Sequence, residues 1–185
     1  MKKLDYIEEA HKTASDKFYG ERVPLVLFIT VSDAIISASE NLDCIKKALF
    51  YGKEFPHITA PEGQQTLESL PAWLSPNAEQ DGAAINLIHG IIGKVTEAAE
   101  LLEALQAVAK EGKPFDTVNA IEEIGDGLWY DALALRALDS TFEEAQQINI
   151  AKLRRRFPEK FTEESANNRN LEEERKILEK GVDNG

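Results

Sequence analysis

The sequence predicts an all-α protein, and three observations carry that prediction. No stretch sustains the two-residue alternation of a half-buried strand. Apolar residues recur instead at spacings of three and four, as in Leu27, Val31, Ala34, Ala38, Leu42, Ile45 and Leu49. Residues that cap helices, and Gly or Pro stop signals, bracket these runs.

Taken in order, residues 2–18 read as a short amphipathic helix with Leu4, Ile7, His11 and Ala14 on one side, closed by Gly20. His11 is a packing residue on this reading. Pro24 suits a first helical turn, and the next helix runs to about Tyr51, where Gly52 supplies the stop. Residues 54–80 hold Pro56, Pro61, Gly63, Pro71 and Pro76 and form a long connection, with one helical turn around Leu67 to Trp73. A helix from Asp81 to Lys110 ends at Gly112 and Pro114. It is apolar on two flanks, Ile85, Ile88, Ile92, Val95, Ala99 and Leu102 on one, Ile91, Ala98, Leu101, Leu105 and Val108 on the other. Such a helix is surrounded, in a bundle or at a subunit interface.

The next helix starts near Asp116 or Thr117 and runs to about Leu138, with Val118, Ile121, Leu128, Ala132 and Leu135 on its core side. Trp129 is also given a core position. Ser140 or Thr141 caps a further helix that ends before Pro158, with Glu143 and Glu144 completing a capping box. Asn170, with Glu173, opens a last polar helix to about Lys180. The chain therefore divides into an N-terminal helical arm with its Pro-rich connection, 1–80, and the helices and C-terminal tail of 81–185, together one compact unit.

Acidic residues outnumber basic ones 33 to 21, for a formal net charge of −12. That balance argues against nucleic acid or an anionic membrane as partner, since both call for a basic footprint. The single cysteine, Cys44, rules out an intrachain disulfide and reads as a small buried side chain. No apolar run reaches the length of a membrane span, and the start lacks the apolar region of a signal peptide. A cytoplasmic location is the expectation.

Four carboxylates stand out. Glu97 and Glu100, then Glu123 and Asp126, are pairs spaced by three, which puts each pair on one helix face about 5–6 Å apart at Cβ. Two such pairs on facing helices would concentrate negative charge that an oxygen-seeking divalent cation relieves. Gly90 and Gly93 lie on the same face as Glu97, so something approaches that face closely. Magnesium suits a shell of carboxylates, phosphates and waters, with manganese as a substitute. Glu122, or one of the four, is a candidate general base. The same spacing is also common on solvated helix faces.

Positive charge gathers later, where Asn149, Lys152 and Arg156 share a stripe suited to phosphate. Cations there also complement a helix C-terminus. Tyr130, on the carboxylate stripe, is a candidate surface for a nucleobase.

The segments Thr96-Glu97-Ala98-Ala99-Glu100-Leu101, Glu122-Glu123-Ile124-Gly125-Asp126 and Trp129-Tyr130 are similar to the signature of the MazG-like all-α nucleoside triphosphate pyrophosphohydrolases, E-x-x-E, a spacer and E-x-x-D. The spacer here is 22 residues. The resemblance continues through Asn149-Ile150-Ala151-Lys152-Leu153, Arg156-Phe157-Pro158, Lys160-Phe161-Thr162 and Arg169-Asn170-Leu171, and covers the second half of the chain. It implies a helical bundle whose core is completed by oligomerisation, as a homodimer or homotetramer. It further implies hydrolysis of a (d)NTP to (d)NMP and pyrophosphate, serving a viral or bacterial nucleotide pool. Magnesium would sit on Glu97, Glu100, Glu123 and Asp126, while Asn149, Lys152 and Arg156 would face the nucleotide. Ala99, where many relatives have glycine, and Lys94, where most are apolar, depart from the pattern. A phosphoribosyl-ATP pyrophosphohydrolase, or a helical oligomer that binds nucleotide without turnover, are the alternatives.

Overall fold

A computed structural model describes residues 6–15, 17–58, 67 and 81–182. Among the described residues it is helical, with no strand. The helices are α1 (Tyr6–Lys12), α2 (Leu25–Tyr51), α3 (Asp81–Glu111), α4 (Thr117–Ala137), α5 (Phe142–Arg156), α6 (Glu163–Asn167) and α7 (Leu171–Val182). Short 3₁₀ turns cover Gly20–Arg22 and Pro56–Ile58. The expected turn around Leu67 to Trp73 falls, apart from Leu67, outside the described residues. The short α6 is an addition to the expected elements.

Local chemistry sets the helix ends. Gly52 and Gly112 both take φ of 64°, the left-handed conformation that closes a helix. At the first of them the Lys53 N–H turns back to the Lys47 carbonyl, 3.2 Å away. The Asp116 carboxylate accepts the N–H groups of Val118 and Asn119 at the start of α4. Thr141 and Glu144 make a reciprocal capping box for α5. Asn170 accepts from the Glu173 N–H at the start of α7.

The chain forms two compact units. One, Glu21–Asp139, contains α2, α3 and α4. Here α3 lies between the other two and antiparallel to both. Against α2, the Asp33 carboxylate accepts from Gln106 (3.0 Å) and Lys110 (2.6 Å), Lys46 reaches Thr96, and the ring of Phe50 stacks on His89. Against α4, Gly90 and Gly93 receive Tyr130, and Lys94 pairs with Asp131.

The interior of this unit is unusually polar. On α2 the buried residues are Ser32, Ser39 and Lys46, spaced by seven; on α3 they include Thr96, Glu97, Ala99 and Gln106; on α4, Ala120, Glu123 and Tyr130. Of the apolar stripes expected on α3, Ala99 is buried and Ile88, Ile92, Leu101, Leu102 and Val108 are half-buried, but much of the expected core lies outside. Val118 and Ile121 are 77% and 71% exposed, and Leu27, Val31, Ile91, Val95, Leu105 and Leu128 are also exposed. Trp129, expected inside, is exposed as well. The reason is geometric: α3 meets its neighbours through a seam of small and polar residues, which leaves much of its apolar flanks uncovered.

By length and composition alone, α2 is apolar enough to cross a membrane, contrary to the expectation that no run reaches that length. In this unit it lies along α3, with its polar seam turned inward. Cys44 is a free, half-buried thiol beside that seam.

The other unit comprises Met1–Gly20 and Ser140–Gly185. In it α1 holds α5 through Glu9 and Arg154 (2.5 Å) and through Tyr6 and Asn149 (3.3 Å). The α5–α7 contact centres on Glu174, which accepts from Arg156 through two parallel bonds and from Arg169 through a third. Ile150 and Phe157 are its buried apolar residues among those described. His11, expected to pack, is exposed.

Candidate metal centre

Glu97 and Glu100 share a face of α3 because they stand three residues apart, and α4 runs antiparallel beside that face. The arrangement brings Glu123 up to them. One oxygen from each of Glu97, Glu100 and Glu123 lies within 4.8 Å of the others. Glu97 and Glu123 are buried, and Glu100 is open to solvent. Asp126, one turn further along α4, is exposed and not among the converging three, and Glu122 is exposed too.

Like charges in a partly desolvated space resist ionisation. Burial, followed by the charge on Glu100 and a hydrogen bond with Glu97, pushes the Glu123 carboxyl up to about 7. Glu100 is raised by burial and by the charge of Glu97. Three hard oxygen donors, one of them reluctant to ionise alone, form a donor set that suits magnesium or manganese.

The close approach foreshadowed by the two glycines is made by α4 itself. A Cβ at position 90 would stand 2.7 Å from the Tyr130 carbonyl oxygen, and one at position 93 would overlap the Tyr130 ring. Tyr130 is consequently buried, locked between Gly93 and Lys46, whose ammonium lies 5.2 Å from the ring centre. Burial raises its phenol pKa.

Lys46 is the site residue that sequence reasoning missed. Its Nζ donates to Thr96 Oγ1 (2.9 Å) and Glu97 Oε1 (3.4 Å) and pairs with Asp43 Oδ1 (3.2 Å). The Thr96 hydroxyl in turn donates to the Gly93 carbonyl at 2.7 Å. Burial opposes the ammonium, but hydrogen bonding to Tyr130 and Asp43, with the field of Glu97, outweighs it and raises the Lys46 pKa. A signal existed in the sequence: a lysine in step with Ser32 and Ser39 and one turn after Asp43.

His89 was also missed. Its ring stacks on Phe50 at 3.9 Å and meets Trp129 and Tyr130 edge-on. Its buried Nε2 has no hydrogen-bond partner among the described residues, and burial, then the Lys46 charge, lowers its pKa.

Asn149, Lys152 and Arg156 belong to the other unit. There the Asn149 side-chain oxygen accepts from Tyr6, Lys152 is half-buried, and the Arg156 guanidinium is engaged by Glu174. That pairing, with help from Arg169, holds the Glu174 carboxyl down at about 2.

No protein-family model, no curated protein and no solved structure matches this chain.

Proposed function

We propose that this protein hydrolyses a nucleoside or deoxynucleoside triphosphate to the monophosphate and pyrophosphate, using magnesium. The observation that supports this most directly is the convergence of Glu97, Glu100 and Glu123 from two antiparallel helices. The resemblance to the MazG-like pyrophosphohydrolases gives that cluster its chemistry.

In this reading Glu97, Glu100 and Glu123 hold the cation, with Asp126, one turn further along α4, as the fourth carboxylate that the resemblance implies. A bound magnesium ion supplies positive charge to the phosphate oxygens and makes a water more acidic. Lys46 fixes the orientation of Glu97. Without metal the Glu123 carboxyl is pushed up to about 7, and the cation displaces its proton on binding. Glu122 is exposed beside it on α4 and is placed in the reading as proton acceptor for the attacking water.

The uncovered apolar faces of α2, α3 and α4 support assembly as a homodimer or homotetramer, in which a second copy covers what one chain leaves open. The net charge of −12 supports a protein that works without nucleic acid or an anionic membrane.

The test is a panel of the common NTPs and dNTPs with magnesium, reading monophosphate and pyrophosphate separately, alongside Glu123→Gln. Release of pyrophosphate by the wild type, and its loss in a variant of unchanged helix content, is the expected result. No turnover of any nucleotide by the wild type would sink the proposal. One observation favours a second reading, nucleotide binding without turnover: Lys46 already neutralises part of the cluster, and Asp126 stands outside it. Tight nucleotide binding with no pyrophosphate released is its signature.

A further inference from the structure

A buried lysine is costly unless its donors are all engaged. Lys46 is 5% exposed, and its ammonium donates to Thr96 Oγ1 and Glu97 Oε1, pairs with Asp43 Oδ1 and lies over the Tyr130 ring. It reaches them from α2, the third helix, whereas the carboxylates come from α3 and α4. Asp43 is shared with Lys47, so the ammonium's deepest anionic partner is Glu97. We propose that Lys46 is the resident counter-ion of the Glu97, Glu100 and Glu123 cluster, steadying the metal-free site while weakening its hold on a divalent cation.

The inference rests on the cluster being a cation site, as in the reading above. The two cations oppose each other because they share an anion. Any ion held by Glu97 competes with the ammonium for the same carboxylate, and the two positive charges repel in surroundings of low dielectric. A lysine that served only as a structural pin would act the other way: its removal would loosen Glu97 and weaken metal binding. The sign of the change therefore separates the two roles.

The experiment compares wild type with Lys46→Met and Lys46→Gln, without nucleotide. Manganese affinity is read by titration calorimetry or by the signal of free manganese in electron paramagnetic resonance. Melting is followed with and without metal. Both variants are expected to melt lower than wild type when metal-free. They should bind manganese about tenfold or more tighter, and gain more from it in melting temperature. Lys46→Gln keeps a donor for Thr96 and carries the affinity measurement if Lys46→Met does not fold without metal. Metal binding by wild type with equal or weaker binding in the variants overturns this inference and leaves the proposed function standing. Binding by none of the three proteins overturns both.

Discussion

The ring of Tyr130 occupies the space that a side chain on residue 93 would need. Gly93 and Tyr130 are thus one fitted pair, and they set how closely α4 approaches the carboxylate face of α3. Gly93→Ala is expected to destabilise the protein by about 1–3 kcal/mol through overpacking. Adding Tyr130→Ala should recover part of that loss, so the two changes will not be additive. Urea unfolding of both single variants and the double variant measures it; simple additivity would show that the ring is not the obstacle.

Glu123 gives the metal-free protein a pH dependence with a definite sign. Its carboxyl sits near 7 when folded and at the ordinary 4.5 when unfolded, so the folded state binds the proton more tightly. The stabilisation is complete below the unfolded value and is lost as pH rises from about 4.5 to about 7. Melting curves in chelator over that range should fall for wild type relative to Glu123→Gln. Parallel curves would refute the assignment. Metal affinity should rise over the same interval, because the cation must displace that proton.

Glu174 behaves oppositely. Arg156 and Arg169 hold its carboxyl near 2, below the ordinary 4.5, so its contribution is present above that value and disappears as pH falls from about 4.5 to about 2. Glu174→Ala leaves the mostly buried Arg156 guanidinium without its fork partner and is expected to cost about 2–3 kcal/mol. Protease cleavage between α5 and α7 should accelerate in this variant. Unchanged stability and unchanged cleavage would mean that the pair is only decorative.

The uncovered apolar faces make their own prediction. Ile121→Glu places a charge on an exposed face of α4, away from the carboxylates. It should shift the protein to a smaller species in sedimentation velocity while leaving the helical signal intact. A wild type that already sediments as a monomer would remove the proposed assembly.

The parts of this fold legible in the sequence are those decided locally. Gly52, Gly112, Asp116, Thr141 and Asn170 mark helix ends because a cap depends on groups within a few residues. The pairing of Glu97 with Glu100 is legible for the same reason, since helical spacing fixes it. Burial is not local. Val118, Ile121 and Trp129 carry the composition of a core but lie exposed, because burial depends on which neighbours are present. Lys46 was hidden more deeply: its partners Thr96 and Glu97 follow about fifty residues later, and only the packing of α2 on α3 brings them together. Likewise the glycines announced a close approach, but not that Tyr130 makes it.

The seven-residue spacing of Ser32, Ser39 and Lys46 has a consequence for alignment. Were α2 to slip along α3 by one heptad, a serine would arrive opposite Thr96 and Glu97 would be stranded with no ammonium to meet it. Leucine or valine seams tolerate such sliding, because every rung is alike. Here one rung differs from the rest, and it locks the two helices into a single setting.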